Sequence, residues 1–559
     1  MKNKIFKICM MTLLLTSCGA NTSSSTETIN IAVKSTNDSK AYISLDYSIS
    51  LPTTFFTFAD DVPYVKLEDY FNVFLKEYEN KQNYSVNGNT VTNISNNVSI
   101  TFDSNKNTIS TSDFDQLTNN YGLKVISRDI MDISSNQYAQ FSESDSSYTK
   151  GKEITIDMSK YKTKIVDYEG KTYVPYAYLD ILFCYENNDR LSFNGNDFYN
   201  ANSSYMYNQE TGNITEYGEA YYSGKYANMK ERSDSYIDYS YYSFLFEMEY
   251  TNGKFPGLNI SDLDKKLDEL GLKSELRSKD SETADTAIAK TIYTVFQDGG
   301  HTRFNNMGVT TPYSKEKNEK ATKLIASLDK RYPKLISTYN SLKEKRGELS
   351  ENLTINGETA IIRFDEFDDE SGTNSTFQLF RQSFDTIEEN KNVKNVVFDV
   401  TVNGGGASSA LCNAISFLTD EPVTYRIKNP VTGAINEEAA KVDNNMDGNF
   451  DDNDSYQGKY NFYILTSNFS FSCANAFPIY CQEHNLAKVI GMRSGGGDCS
   501  VGSGVSADGT YWNMSSTCML IRKDNSSYDD GAKVDYELDE SYFYDAEKLS
   551  TYLSGLSKN

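Results

Sequence analysis

Val393-Lys394-Asn395-Val396-Val397-Phe398-Asp399-Val400-Thr401-Val402-Asn403-Gly404-Gly405-Gly406 is the stretch from which the fold is read. Val393 to Val400 is a short, mostly apolar run, as expected of a strand covered on both faces, and Asp399 sits near its end. The Asn-Gly-Gly-Gly turn then leads into a helix predicted over Ser408 to Leu418. Upstream, Ala360 to Phe364 reads as a strand and Phe377 to Ile387 as an amphipathic helix. Downstream come a buried strand at Phe462 to Leu465, a helix from Cys473 to His484, a short strand at Val489 to Gly491 and another at Thr517 to Arg522. This alternation predicts a layered α/β core over residues 351–559.

Outward from that core the pattern changes. Residues 206–350 read as helical: Leu263, Leu267, Leu270 and Leu272 fall near helical spacing, as do Ala284, Ala287, Ala289, Ile292 and Val295. Lys315 to Arg346 is lysine-rich, with Leu324, Ile325, Leu328 and Leu335 apolar, and reads as a solvated helix pair bracing the core. Residues 29–205 read as a β-rich domain of short alternating segments, among them Tyr42 to Leu45, Val91 to Ile94, Val98 to Phe102 and Lys164 to Val166. Two stretches look alike, Val62 to Phe71 and Tyr173 to Phe183; each reads as a strand end followed by a helix start. The Tyr-rich run Tyr236 to Tyr250 reads as half-buried aromatic packing.

Residues 1–18 read as a leader: Lys2, Lys4 and Lys7 precede the apolar run Ile8 to Leu15, which is too short to span a bilayer. It ends in Leu15-Thr16-Ser17-Cys18, which resembles the bacterial lipobox, so Cys18 is the expected lipidation site and mature N-terminus. Residues 19–28, rich in Ser and Thr, are the expected flexible tether. The predicted location is extracytoplasmic, anchored to a bacterial cell membrane through that lipid. The net charge of −24 and pI near 4.6 argue against nucleic acid as a partner. Cys184, Cys412, Cys473, Cys481, Cys499 and Cys518 could pair in an oxidising compartment, in a connectivity the sequence leaves open. With two histidines far apart and no Cys-x-x-Cys, a zinc site is not expected.

Chemistry concentrates in a few places. Phe469-Ser470-Phe471-Ser472-Cys473-Ala474 follows a strand and opens a helix, which places the Ser472 hydroxyl beside free N–H groups at a helix N-terminus. Serine is also a common helix cap, so the motif alone leaves both readings open. Gly404 to Gly406 and Gly495 to Gly497 follow strands and can present backbone amides; neither has the spacing of a phosphate loop. Asp443 to Asp454 has EF-hand spacing, with Asp443, Asn445, Asp447, Asn449, Asp451 and Asp454 as candidate ligands, Gly448 at the sixth position, and Asp454 where a glutamate is usual. It predicts a structural calcium ion; catalysis needs no cofactor.

Four signatures occur in the order of the tail-specific (C-terminal processing) serine peptidase family, which includes the tricorn core. Asp298-Gly299-Gly300-His301-Thr302 resembles its Asp-Gly-His-Thr, with one extra glycine. Val397 to Gly406 resembles its strand and Asn-x-Gly-Gly loop. Ser470 to Ala474, followed by Ala487 to Gly491, resembles its nucleophile turn, and Gly531 to Asp535 its terminal Gly-Val-x-Pro-Asp. The resemblance implies a crotonase/ClpP-like layered core. It implies Ser472 as nucleophile, His301 as base, and the amides of Gly405 and Cys473 as oxyanion hole. The lysine of the family's Ser-Lys style falls on Gly497, which favours the tricorn-like Ser-His style. The acidic orienter of that style falls on Tyr528, leaving Asp529 or Asp530 as candidates. The family's usual glutamate shortly after the serine is Asn475, and no PDZ-like segment follows His301. His484 is expected at the surface. The implied activity is hydrolysis of peptide bonds in extracytoplasmic proteins or peptides. The alternative is a catalytically inactive, peptidase-like surface lipoprotein that binds a ligand, and a calcium-dependent adhesin is a third reading.

Overall fold

Asn395–Asp399 is buried at every residue, as a strand with helices on both faces must be. In the computed structural model it lies inside a six-stranded sheet of order Leu353–Asn356, Thr359–Arg363, Asn395–Asp399, Asn461–Thr466, Lys488–Gly491 and Tyr536–Glu537. The first pair is antiparallel and the rest are parallel. Side chains alternate between the two faces with the period of two that a strand imposes. Ala360, Ile362, Val396, Phe398, Phe462 and Ile464 pack toward helices Thr376–Glu389, Ser408–Ser416 and Cys473–Glu483. Ile361, Val397, Tyr463, Leu465 and Ile490 pack with Leu342, Leu538, Leu549 and Leu553, from helices Tyr332–Arg346 and Ala546–Leu556 and the segment between. The expected layered α/β core is present.

The structure describes residues 31–78, 83–118, 129, 131–133, 136–185, 189–208, 210–229, 231–298, 300–306, 323–329, 331–369 and 375–556. The leader, tether, Cys18, Gly299 and residues 315–322 lie outside them. Among the described residues no helix is long and apolar enough to cross a membrane.

Residues 31–200 form mostly short strands, including the antiparallel meander Tyr84–Asn87, Thr90–Asn93, Val98–Asp103, Thr108–Thr111 and Ile154–Asp157. The two look-alike stretches are partners. Ala59–Lys66 and Lys171–Pro175 pair antiparallel, with Tyr173 opposite Lys66 and Pro175 opposite Tyr64. The helical segments that follow them meet through Phe71 and Phe183, ring centroids 4.8 Å apart. Strand Val166–Tyr168 starts two residues later than expected, and the strand expected at Thr517 to Arg522 is the end of the longer Tyr511–Leu520. Buried Ser and Thr side chains hide the apolar signature of that longer strand. The Tyr-rich run is helix Asp234–Tyr250, largely buried.

The expected boundaries at 205/206 and 350/351 are crossed by packing. One hydrophobic cluster runs from Ala41 through Leu245 and Ile292 to Trp512 and Met514. A second sheet joins Ala139–Phe141 and Ser147–Thr149 to Ile435–Val442, and Arg303–Asn306 to Tyr511–Leu520. This sheet brings the histidine segment to the α/β core. Cys184, Cys412, Cys473, Cys481, Cys499 and Cys518 are all buried, and among the described residues no disulfide joins them, so the pairing the sequence allowed is not formed in this structure.

Candidate active site

The site is built where four strand-end loops meet. Asp399 closes its strand by accepting the Thr401 amide (3.1 Å) and hydroxyl (2.7 Å) and the Arg363 guanidinium (3.0 Å). The chain then turns through Asn403 to Gly406. Gly405 has φ +113, and a Cβ there would lie 2.7 Å from Cβ of Ser472, so this close approach requires glycine.

The nucleophile turn is tied down by two serines. Ser467 donates to the Thr401 carbonyl (2.6 Å) and Ser470 to that of Val400 (2.7 Å). Ser472 stands at the N-terminal end of helix Cys473–Glu483 with φ +57 and ψ −122, and its side chain makes no capping hydrogen bond. The cap reading therefore does not hold. A non-glycine residue at positive φ is strained, and such strain concentrates at functional sites. The Ser472 amide donates to the Gly496 carbonyl (2.9 Å), which joins the turn to the second glycine loop. The neighbouring Cys473 thiol is pushed up to about 12 by burial and donates to the Gly406 carbonyl (3.1 Å), so it offers no thiolate.

His301 is buried, and its loop is shaped by Asp298. That carboxylate accepts the amides of Gly300 (2.9 Å) and Thr302 (3.0 Å), the Thr302 hydroxyl (2.6 Å) and the Ser515 hydroxyl. The imidazole packs edge-on against Phe471, centroids 4.9 Å apart. Phe471 thus links the histidine to the residue beside Ser472, and its ring fills the space a Gly497 side chain would need, with Cζ 2.6 Å from that Cβ position. Among the described residues no hydrogen bond joins His301 to Ser472. Burial pushes the imidazole below its ordinary pKa; Lys254 adds to this, while Asp298, Asp498 and Asp529 oppose it. The neutral form, able to accept a proton, is favoured.

The two expected oxyanion donors differ. Among the described residues the Cys473 amide donates to no other residue and faces only its own thiol, whereas the Gly405 amide donates to Oδ1 of Asn403 at 2.8 Å. In this conformation Gly405 is committed to its own turn. The acidic candidates also separate. Oδ1 of Asp529 accepts the Gly497 amide (3.1 Å), Oδ2 pairs with Lys254 (3.1 Å), and this carboxylate acts on His301. Asp530 instead pairs with Arg522 at 2.8 Å, with its side chain 68% exposed. Asn475 is buried; it donates to the Tyr528 carbonyl (3.0 Å) and accepts from Ser494 (2.6 Å), a structural role. His484 is stacked on Tyr480 at 4.1 Å and half-buried, and burial lowers it to about 4.

Sequence reasoning missed Asp498, Lys254, Phe471 and Arg331. Arg331 donates to the carbonyls of Asp298 and Gly495, both at 3.1 Å, bridging the histidine and glycine loops. Beside it opens a cleft of about 290 Å³ lined by Asp298, Gly300, Thr302, Arg303 and Arg331 among others. Asp498, next to Gly495 to Gly497, had a signal in its position; Lys254 had none.

The loop 443–454 turns its carboxylates onto its own amides. Asp443 accepts from Asp447 (3.1 Å) and Gly448 (2.8 Å), Asp447 from Asn449 (2.8 Å), and Asp454 from Asn445 (3.3 Å) and Asp451 (2.9 Å). Among the described residues no group of three or more His, Cys, Asp or Glu is gathered as a metal ion's ligands.

Residues 358–538 match the model of peptidase family S41. A search among curated proteins finds no match. Among solved structures, the photosystem II D1 C-terminal processing protease is 15% identical over 34% of this chain and 47% of its own, with a TM-score of 0.28. The chain thus covers less than half of that protease. Mature CPAF complexed with lactacystin is 11% identical over 58% of this chain and 98% of its own, with a TM-score of 0.37. A lipoprotein from Streptococcus agalactiae is 12% identical over 58% and 96%, with a TM-score of 0.36.

Proposed function

Because residues 358–538 match peptidase family S41, whose members are serine peptidases, we propose that this chain hydrolyses peptide bonds with Ser472 as nucleophile and His301 as base. One observation carries the reading: a serine strained at φ +57, its hydroxyl unused as a cap, stands at a helix N-terminus beside an amide that, among the described residues, donates to no other residue. His301 takes the hydroxyl proton as Oγ attacks the substrate carbonyl. The Cys473 amide and the helix dipole stabilise the oxyanion, and Gly405 joins them when its amide leaves Asn403. His301 then returns the proton to the leaving amine, and water releases the acyl group. The substrates are proteins or peptides outside the cytoplasm, cut internally or near a C-terminus. Labelling the protein with a fluorophosphonate and locating the adduct tests this; the adduct belongs on Ser472, and no labelling at all would refute the assignment.

A second reading is an inactive peptidase-like lipoprotein that binds a ligand. Two observations favour it: the Gly405 amide is engaged by Asn403, and His301 contacts Phe471 while, among the described residues, no hydrogen bond joins it to Ser472. The same labelling separates the two.

Membrane attachment rests on Leu15-Thr16-Ser17-Cys18. Cys18→Ala is expected to move the protein from the membrane fraction to the soluble one; unchanged retention on fractionation would overturn the anchor. Calcium at Asp443 to Asp454 requires those carboxylates to leave their amides. Titration calorimetry on the intact protein is expected to show one calcium bound and lost on Asp443→Asn, and a flat thermogram removes the ion from the account.

A further inference from the structure

A charged cluster beside His301 has no part in the proton transfers above. Lys254 follows helix Asp234–Tyr250 in a turn closed by Asn252, whose Oδ1 accepts the amides of Lys254 (2.9 Å) and Phe255 (3.1 Å). The Gly253 amide donates to the Ser515 carbonyl (2.9 Å), and the Ser515 hydroxyl donates to Asp298. Lysine and histidine loops therefore hang on one residue of strand Tyr511–Leu520. The Lys254 side chain is 15% exposed, and Nζ pairs with Asp498 and, at 3.1 Å, with Oδ2 of Asp529. The other oxygen of Asp498, which is wholly buried, takes the Ser527 hydroxyl, and the Cys499 thiol lies 3.3 Å from Oδ1.

We propose that Lys254 is a positioning residue for the base: it clamps Asp498 and Asp529 and screens His301 from two of the three carboxylates beside it. The inference rests on the reading of His301 as base. The clamp also has a mechanical consequence. Asp529 holds the Gly497 amide, the Gly496 carbonyl holds the Ser472 amide, and Gly497 packs on the Phe471 ring that meets His301. One ammonium thus fixes the loop that joins nucleophile and base. Lys254 is not itself a base. Burial alone would lower it, but Cys499, Asp498 and Asp529 outweigh burial and hold it well above the usual lysine range. The charged groups that act most on His301 are Asp298, Asp498, Lys254 and Asp529. Without the lysine, burial is left to oppose the three carboxylates that favour the imidazolium.

The test follows the imidazoles directly. The chain has two histidines, so 13C-histidine labelling gives two signals, assigned with His484→Gln. Lys254→Met is expected to raise the His301 midpoint by about 1 unit, whereas Lys254→Arg keeps it near the parent value. Asp529→Asn, at a side chain 38% exposed, is expected to lower it and decides the matter if Lys254→Met does not fold. A His301 midpoint unmoved in folded Lys254→Met, or in Asp529→Asn where that is the readable variant, overturns the proposal. Titration needs no turnover, so an unlabelled Ser472 with a shifting His301 would sink the peptidase reading and leave the clamp standing.

Discussion

Ser472→Ala, His301→Ala and the double variant are expected to lose peptide hydrolysis to one common floor, roughly 10⁴–10⁶-fold below the parent. A serine hydroxyl is a poor nucleophile near neutral pH, and the base contributes only by acting on it. Either deletion alone therefore removes nearly the whole chemical advantage, and the second adds little. The floor is what the Cys473 amide and substrate binding still supply. The pH profile carries an independent signature. His301 must be neutral to accept the proton, and burial, the largest influence on it, lowers its pKa. The rate should rise with pH through a single ionisation below the ordinary histidine value of about 6.5 and stay high above it. No lysine should shape that limb as a base, since Lys254 stays protonated and Lys488 is a 60% exposed side chain at a strand start, 3.9 Å from Asp535. Turnover of the parent kind in His301→Ala would return the search for a base to other groups.

How much of this was legible follows from the kind of signal each element leaves. Strands covered on both faces, such as Asn395–Asp399 and Asn461–Thr466, write continuous apolar runs, and glycines that permit close approach, such as Gly405, write themselves in the sequence. The strand Tyr511–Leu520 was half hidden because it buries polar groups paired to distant elements, Ser515 to Asp298 and Thr517 to Tyr185. The partnership of the two look-alike stretches was visible as similarity, while their pairing is a tertiary fact. The different surroundings of Asp529 and Asp530 were not readable, because neighbouring residues point to different partners: one to Gly497 and Lys254, the other to Arg522. Lys254 lies over two hundred residues from the loop it holds, and its turn resembles any polar helix end.

Arg190→Met is expected to cost about 3–5 kcal/mol of stability, the range for removing one partner of a buried ion pair. Arg190 is wholly buried; its guanidinium pairs with Asp180, with Glu247 (3.0 Å) and with the Ser503 carbonyl (2.7 Å). Its three partners come from helix Tyr176–Cys184, helix Asp234–Tyr250 and strand Cys499–Val505. One side chain therefore ties the β-rich region and the helical segment to the strand that begins just after Asp498. Methionine matches much of the volume, so the loss would report two carboxylates stranded in an apolar interior rather than a cavity. Glu247 gives the loss a pH dependence. Burial raises it to about 7 even with Arg190 opposing, so the folded protein binds this proton more tightly than the unfolded chain. The group's contribution is complete below the unfolded value of about 4.3 and is lost as pH rises toward 7. Without Arg190 the folded value moves higher, so the variant should lose most stability at neutral and alkaline pH and recover part of it near pH 5. Adding Glu247→Gln to Arg190→Met removes one stranded charge and should restore part of the denaturation midpoint at pH 8 while changing little at pH 5. Equal losses at both pH values in urea denaturation would mean that packing, not the carboxylates, accounts for the role of Arg190.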